Sequence, residues 1–112
     1  MDQLTSYREI ITNSLEAHAN VPIYNGEGLQ KHLIIDQAGK HYQLLLMGWK
    51  KQAYVFKVLF HLTLADGKVW LQHNGTDTLI ADELIAAGIA REDIRLGFQP
   101  PASQQVSGIA AA

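Results

Sequence analysis

The sequence predicts a small α+β domain, in which an antiparallel meander sheet of four to five strands carries two helices on one face. Three observations predict this fold class. A helical apolar pattern opens the chain, alternating apolar strands separated by turn residues fill its middle, and a second, shorter helical pattern follows. The 112 residues suffice for one domain, residues 1–112, and no internal repeat divides them.

The first element is an amphipathic helix. Leu4, Tyr7, Ile11 and Leu15 recur on one stripe, and Asp2 is placed to cap the free N–H groups of the first turn. We expect the helix to end near residue 19, ahead of a connection rich in turn residues.

Four strands form the predicted meander, at residues 29–37, 40–49, 53–64 and 68–73. The strongest hairpin signal is Asp66-Gly67, because a type I′ turn requires a positive φ at both central residues. In that register the facing pairs are Leu64–Val69, Leu62–Leu71 and Phe60–His73.

The second helix is predicted at about residues 79–87, with Asp77 or Thr78 as its N-cap. Gly88 followed by Ile89 predicts a Schellman termination. Residues 94–98 are predicted to form a short fifth strand, after which two consecutive prolines end regular structure.

Both faces of the predicted sheet are apolar. The residues expected on one face of the third strand are Tyr54, Phe56, Val58, Phe60, Leu62 and Leu64. The other face still carries Val55 and Leu59, whereas a sheet with one wet face alternates more cleanly. Because two short helices cover one face, we expect the other face to contact a partner, either a second copy of the chain or a different protein.

The composition is that of a folded domain without a membrane segment. Hydrophobic residues make up 47% and charged residues 18% of the chain, which excludes intrinsic disorder. The absence of cysteine excludes a disulfide scaffold, a cysteine nucleophile and a thiolate zinc site. The opening residues do not fit a signal peptide, and no apolar run reaches the ~20 residues of a membrane span, so we expect a cytoplasmic protein.

Charge is concentrated in the strand region. Residues 31–68 contain six lysines and two aspartates, whereas both flanking segments are net acidic. A basic sheet could meet phosphates or an acidic protein surface, although lysine is also common at strand edges. The candidate contact surface is Trp49, Lys50, Lys51, Lys57 and Trp70. The net charge of −2 argues against tight unaided DNA binding, so we expect a DNA contact to be weak or indirect.

Five histidines raise the question of a metal or catalytic site. In the predicted register His61 and His73 point to opposite faces, and His32 lies ~13 Å along its strand from the Asp36–His41 pair. We therefore predict no metal site, no catalytic residue and no cofactor. Asp36 and His41 could form a dyad, but a cross-strand ion pair is commoner. The acidic residues Asp77, Asp82 and Glu83 could bind a divalent ion, but they more simply favour the start of a helix.

Several short motifs occur in a specific order. They are YREII at residues 7–11, HYQLL at 41–45, GW at 48–49, DGKVWLQ at 66–72, GTD at 75–77, AGI at 87–89, EDI at 92–94 and LGF at 96–98. Their order and spacing, over nearly the whole chain, resemble the XisI family, the fdxN element excision controlling factors found mainly in cyanobacteria.

The resemblance implies an accessory role in the programmed excision of a DNA element during heterocyst differentiation. A separate site-specific recombinase cuts the DNA, and XisI-like proteins act beside a partner called XisH. The family has no known catalytic centre. The resemblance together with the apolar sheet therefore predicts a non-enzymatic homo-oligomer that contacts an XisH-like protein, the recombinase, or both.

The chain departs from the family pattern in two places. Where the family has Asp-Gly-Thr-Glu the chain has Asn74-Gly75-Thr76-Asp77, and its tail at residues 104–110 carries no charge.

Two rival functions stand beside the accessory role. The first rival is a module that neutralises an XisH-like nuclease. The second is an enzyme that uses His41 and Asp36.

Overall fold

Five strands form one sheet, and both helices pack on the same side of it. The structure is a computed structural model that describes residues 2–106. Its elements in chain order are α1 (Gln3–Ala19), β1 (Leu29–Ile35), β2 (His41–Lys50), β3 (Ala53–Ala65), β4 (Lys68–Asn74), α2 (Ile80–Ala87) and β5 (Ile94–Leu96). The α+β class predicted from the sequence is confirmed.

The strand order in the sheet follows the chain, β1-β2-β3-β4-β5. The first four strands are antiparallel, as predicted, but β5 runs parallel to β4. The chain reaches β5 through α2, and a helical crossover returns the chain in the direction of the preceding strand. The sheet is therefore mixed rather than wholly antiparallel.

Helix α1 begins as the sequence predicts. The Asp2 carboxylate accepts a hydrogen bond from the Thr5 N–H at 2.7 Å, and Tyr7, Ile11 and Leu15 are buried against the sheet. Leu4 was predicted on the same stripe but is 44% exposed. It lies beside the β3–β4 turn at the end of the sheet, where little sheet surface remains to cover it.

The predicted cap of α2 at Asp77 or Thr78 is wrong. Leu79 is the N-cap, and its side chain makes no capping bond. The approach to the helix is held instead by side chains upstream. The Thr76 N–H donates to Asn74 Oδ1 at 2.9 Å, and the Thr78 N–H donates to Thr76 Oγ1 at 3.0 Å.

The predicted Schellman termination of α2 is present. The Gly88 N–H donates to the Ile85 carbonyl at 3.1 Å, and the Ile89 N–H donates to the Leu84 carbonyl at 3.0 Å. These are the two bonds of that motif, and they require the positive φ of 123° at Gly88.

The β3–β4 hairpin has the predicted turn, since Asp66 and Gly67 have φ values of 55° and 73°. The pairs Leu64–Val69 and Leu62–Leu71 also match. A β-bulge between His61 and Leu62 then shifts the register. Phe60 consequently faces Asn74, so the predicted Phe60–His73 pair is wrong, and His73 faces His61 instead.

A second bulge lies between β2 and β3. The pairing steps from Leu44↔Phe60 to Leu45↔Val58, which leaves Leu59 as the extra residue. Because side chains alternate along a strand, one extra residue inverts the facing of everything beyond it. The six residues predicted to share a face of β3 are therefore divided. Phe60, Leu62 and Leu64 face the helices, whereas Tyr54, Phe56 and Val58 face away.

The core lies between the helices and the inner half of the sheet. Its fully buried members include Ile11, Leu15, Tyr42, Leu44, Phe60, Leu62, Val69, Ile80, Leu84, Ile89 and Ile94.

One polar network ties the elements together at Asp93. Its carboxylate accepts hydrogen bonds from the Tyr7 hydroxyl at 2.6 Å, Gln3 Nε2 at 2.8 Å and Lys68 Nζ at 3.0 Å. The hydrogen bond from Tyr7 is the largest of the effects that lower the pKa of Asp93.

The chain end packs beside β5, where Arg95 pairs with Gln105 and Val106 joins the core. The rest of the uncharged tail, residues 107–112, lies outside the described residues. Within residues 2–106, no helix combines the length and the apolar character needed to cross a bilayer.

Candidate protein-docking surface

The side of the sheet away from the helices has no element packed on it among the described residues. We call this side the open face. The strand registers assign to it Ile34, Leu45, Met47, Trp49, Tyr54, Phe56, Val58, His61, Thr63 and Trp70. The register of β2 against β3 is set at their connection, where Lys50 pairs with Ala53 around a two-residue turn.

Six apolar residues of the open face form three facing pairs, which we call the apolar ladder. The pairs are Leu45↔Val58, Met47↔Phe56 and Trp49↔Tyr54. Leu45 is 6% exposed, but Trp49, Tyr54 and Phe56 are 56%, 55% and 61% exposed. The rings of Trp49 and Tyr54 lie 5.2 Å apart, tilted by 59°. A contiguous exposed aromatic patch of this kind is a candidate surface for binding another protein.

A close backbone crossing fixes the position of Trp49. The Trp49 N–H donates to the Gly28 carbonyl at 3.1 Å, so the start of β1 lies directly against the end of β2. A Cβ atom at Gly48 would collide with the Gly28 carbonyl oxygen, and Gly48 has a φ of 138°. Both glycines are therefore needed for the two strands to approach, and the indole is held on the open face by that approach.

Histidines occupy the other end of the open face. The imidazole rings of His41 and His61 lie 5.6 Å apart, and His61 faces His73 across the β3–β4 bulge. The prediction that His61 and His73 point to opposite faces is therefore wrong, and the bulge is the reason. Burial lowers the pKa of His61, and the neighbouring His41 and His73 lower it further.

The Asp36 carboxylate binds the backbone of the β1–β2 turn. Its Oδ1 accepts from the N–H of Lys40 at 2.7 Å and of His41 at 2.8 Å, which lowers the Asp36 pKa. The His41 imidazole lies 3.4 Å from the Thr63 hydroxyl. The carboxylate thus closes the β1–β2 turn, a structural use of an aspartate at that position.

Neither the histidines nor the acidic residues form a metal-binding group. Over residues 2–106 no set of three or more His, Asp or Glu side chains is arranged to hold a metal ion. Of the acidic residues near α2, Glu83 bonds His18 Nε2 at 2.8 Å and so links α2 to α1.

The predicted contact residues do not form one patch. Trp49, Lys50 and Lys51 lie together at the β2–β3 turn and are exposed. Trp70 is on the open face but faces Thr63, nine residues along β3 from Tyr54, or about 30 Å at 3.3 Å per residue. Lys57 faces Leu46 on the helix side of the sheet.

Two aromatic residues central to the apolar ladder, Tyr54 and Phe56, were not among the predicted contact residues. The sequence pattern had placed them on the same face of the strand as Phe60. The signal that could have revealed them is the unbroken apolar run Val58-Leu59-Phe60, because a strand that alternates cannot bury three successive side chains on one face.

The chain is a two-layer α+β protein whose aromatic sheet face is left uncovered by the elements of residues 2–106. The family model described as XisI protein matches residues 1–111, and the chain belongs to the XisI family. Comparison with curated proteins finds no match.

Two crystal structures of proteins from Anabaena variabilis ATCC 29413 are similar to this chain. A XisI-like protein is 35% identical, over 93% of this chain and 94% of that one, with a TM-score of 0.84. The fdxN element excision controlling factor XisI is 31% identical, over 90% of this chain and 97% of that one, with a TM-score of 0.72. The family and the second relative support a role in the control of excision.

Proposed function

We propose that this chain is a non-enzymatic accessory factor in the programmed excision of a DNA element by site-specific recombination during heterocyst differentiation. It acts in the cytoplasm through contacts with an XisH-like protein, the recombinase, or both. The observation that supports this proposal is the apolar ladder, whose aromatic residues are exposed on the open face of the sheet. Aromatic residues and Met are enriched at the centres of protein interfaces, and a few such anchors supply most of the binding energy.

Trp49 is the first anchor to test, because it is exposed and lies beside Lys50 and Lys51. Trp49→Ser should weaken binding of a purified XisH-like protein or recombinase by at least about tenfold, the size expected for an aromatic hot spot. Tyr24→Ser is the matched control, since Tyr24 is 91% exposed in the loop before β1. Titration calorimetry measures binding, and a reporter plasmid carrying the element measures excision.

Two results would contradict the proposal. One is equal binding and excision for Trp49→Ser and the unmodified protein, with both folded by circular dichroism. The other is no binding of either candidate partner by the unmodified protein, at concentrations where excision proceeds in the reporter.

A second function, neutralisation of an XisH-like nuclease, is favoured by the uncharged character of the apolar ladder. Burial of apolar surface is insensitive to moderate salt, whereas a complex bridged by DNA dissociates as salt rises. A neutralising module should therefore form a salt-resistant complex and suppress DNA cleavage by its partner. An accessory factor should instead leave cleavage unaffected and raise the yield of excised element.

A further inference from the structure

Strand β3 extends beyond β4 and leaves part of its edge unpaired. Pairing with β4 reaches no further than Phe60, and the turn at Gly75 then contacts β3 through the Leu59 carbonyl. Within residues 2–106 no strand pairs with residues 53–57 on the side away from β2. Five residues of strand edge are thus free, bounded by the β2–β3 turn at one end and by Gly75 at the other.

The hydrogen-bonding groups of this edge can be assigned from the neighbouring strands. The Trp49 N–H points to β1, so the N–H groups of the residues on either side of Trp49 point to β3. Their partners on β3 are Ala53 and Val55, which therefore bond inward to β2. Tyr54 and Phe56 bond outward, with their side chains exposed on the open face.

We infer that this edge pairs with the same edge of a second copy of the chain, antiparallel and centred on Val55. Tyr54 of each copy then faces Phe56 of the other, and the outward groups of both residues are satisfied. Val55 faces Val55, and Lys57 faces Ala53, so no lysine stands opposite a lysine.

Three features favour a second copy over the strand of another protein. The free stretch, residues 53–57, has Val55 at its centre. The same five residues of a second copy therefore pair with it along its whole length and end before Gly75. Aromatic residues meet aromatic residues across the pair, and the charged residue meets a small neutral one. Residues 53–57 also contain no proline and no bulge, two of the devices that keep strand edges apart.

Pairing about a two-fold axis keeps both open faces on the same side of the joined sheet. The two apolar ladders would then form one continuous surface on a ten-stranded sheet. This inference concerns the edge of β3 and not the open face, so its test is independent of the test of the proposed role in excision.

The mass of the purified chain in solution tests the inference. Light scattering after size exclusion should give twice the 12.4 kDa of one chain. Val55→Lys and Val55→Glu should each give monomers, because like charges would face each other across the axis. An equimolar mixture of the two variants should recover the dimer through an opposite-charge pair. This rescue also shows that both variants fold.

Met47→Lys is the matched control. Met47 faces Phe56 on the open face but lies on β2, one strand away from the free edge. Edge pairing leaves this variant dimeric, whereas dimers that stack open face against open face would dissociate. A monomeric unmodified chain, a mixture that stays monomeric, or dissociation of Met47→Lys would each overturn the inference.

Discussion

Gly48 allows β1 and β2 to approach each other because it has no Cβ atom. Its φ of 138° is unfavourable for other residues, and an added Cβ would collide with the Gly28 carbonyl oxygen. We expect Gly48→Ala to lower the free energy of unfolding by more than about 2 kcal/mol, since strained backbone alone costs about 1–3 kcal/mol. Urea unfolding followed by circular dichroism measures this loss.

Gly67→Ala provides the comparison for that experiment. Gly67 has a φ of 73°, but an added Cβ would meet nothing within 4 Å. Its loss should stay near the roughly 1–2 kcal/mol of left-handed backbone alone. Equal losses at the two positions would mean that the contact between Gly28 and Gly48 contributes nothing.

His61 makes stability depend on pH below neutrality. Burial and the neighbouring His41 and His73 hold its pKa below the ordinary value of 6.5. The unfolded chain therefore binds a proton at a higher pH than the folded chain does. Stability should be full above about pH 6.5 and should decrease as the pH falls from there toward the folded pKa.

Replacement of this imidazole isolates its share of the effect. His61→Asn should lose less stability than the unmodified protein between pH 7.5 and pH 5, measured by thermal unfolding in matched buffers at about 0.15 M ionic strength. His32→Asn, at an exposed position on β1, is the control variant. An unaltered pH profile for His61→Asn would contradict the assignment.

At the scale of elements, Asp93 joins α1, β4 and the start of β5. It accepts hydrogen bonds from Tyr7, Gln3 and Lys68, and its pKa is lowered from the ordinary value of 3.8. The stability it supplies is therefore present above about pH 4 and is lost as the pH falls through the folded pKa.

Asp93→Asn should cost about 1.5–3 kcal/mol at pH 7, the usual contribution of hydrogen bonds to a charged group. Its difference from the unmodified protein should shrink in acid, as the carboxyl of the unmodified protein becomes protonated. Urea unfolding at pH 7 and pH 3 measures both values. Glu92→Gln, at the exposed neighbouring position, is the control variant and should cost little stability at pH 7.

Elements that depend on local chemistry were predictable from the sequence. Asp2 as a cap, Asp66-Gly67 as a type I′ turn and Gly88 as a Schellman residue each require a local conformation that few residue types adopt. The facing of Tyr54 and Phe56 was not predictable in this way. Their facing depends on the bulge at Leu59. A bulge forms through pairing with the neighbouring strand, and the alternating apolar pattern of the sequence gives no sign of it.

The candidate site was predictable only in part for the same reason. An uncovered apolar face followed from the excess of apolar strand residues, and the structure places Trp49 beside Lys50 and Lys51 at the β2–β3 turn. Trp70 and Lys57 lie apart from that cluster. Their separation from it depends on distances along the sheet and on which face each residue occupies, and neither can be read from the composition. The N-cap of α2 was not predictable either, because Leu79 makes no capping side-chain bond and the approach to the helix is held by Asn74 and Thr76 upstream.

At the scale of the whole molecule, the distribution of lysines limits how tightly the chain can bind DNA without a partner. Lys31 donates to the carbonyls of His18 and Val21, and Lys68 pairs with Asp93. The exposed lysines are Lys40, Lys50, Lys51 and Lys57. They lie at different ends and faces of the sheet, so at most about three can reach one duplex.

Three phosphate contacts set the expected salt dependence of that binding. Affinity for duplex DNA should fall roughly 40-fold between about 50 mM and 200 mM salt, since each contact contributes about 0.9 to the logarithmic slope. Fluorescence anisotropy with a labelled duplex measures it. Lys51→Glu should weaken binding more than the same change at Lys40, because Lys51 adjoins Lys50 and Trp49. A slope equal to six or more phosphates, or equal effects of the two changes, would show that DNA engages a surface other than the β2–β3 turn.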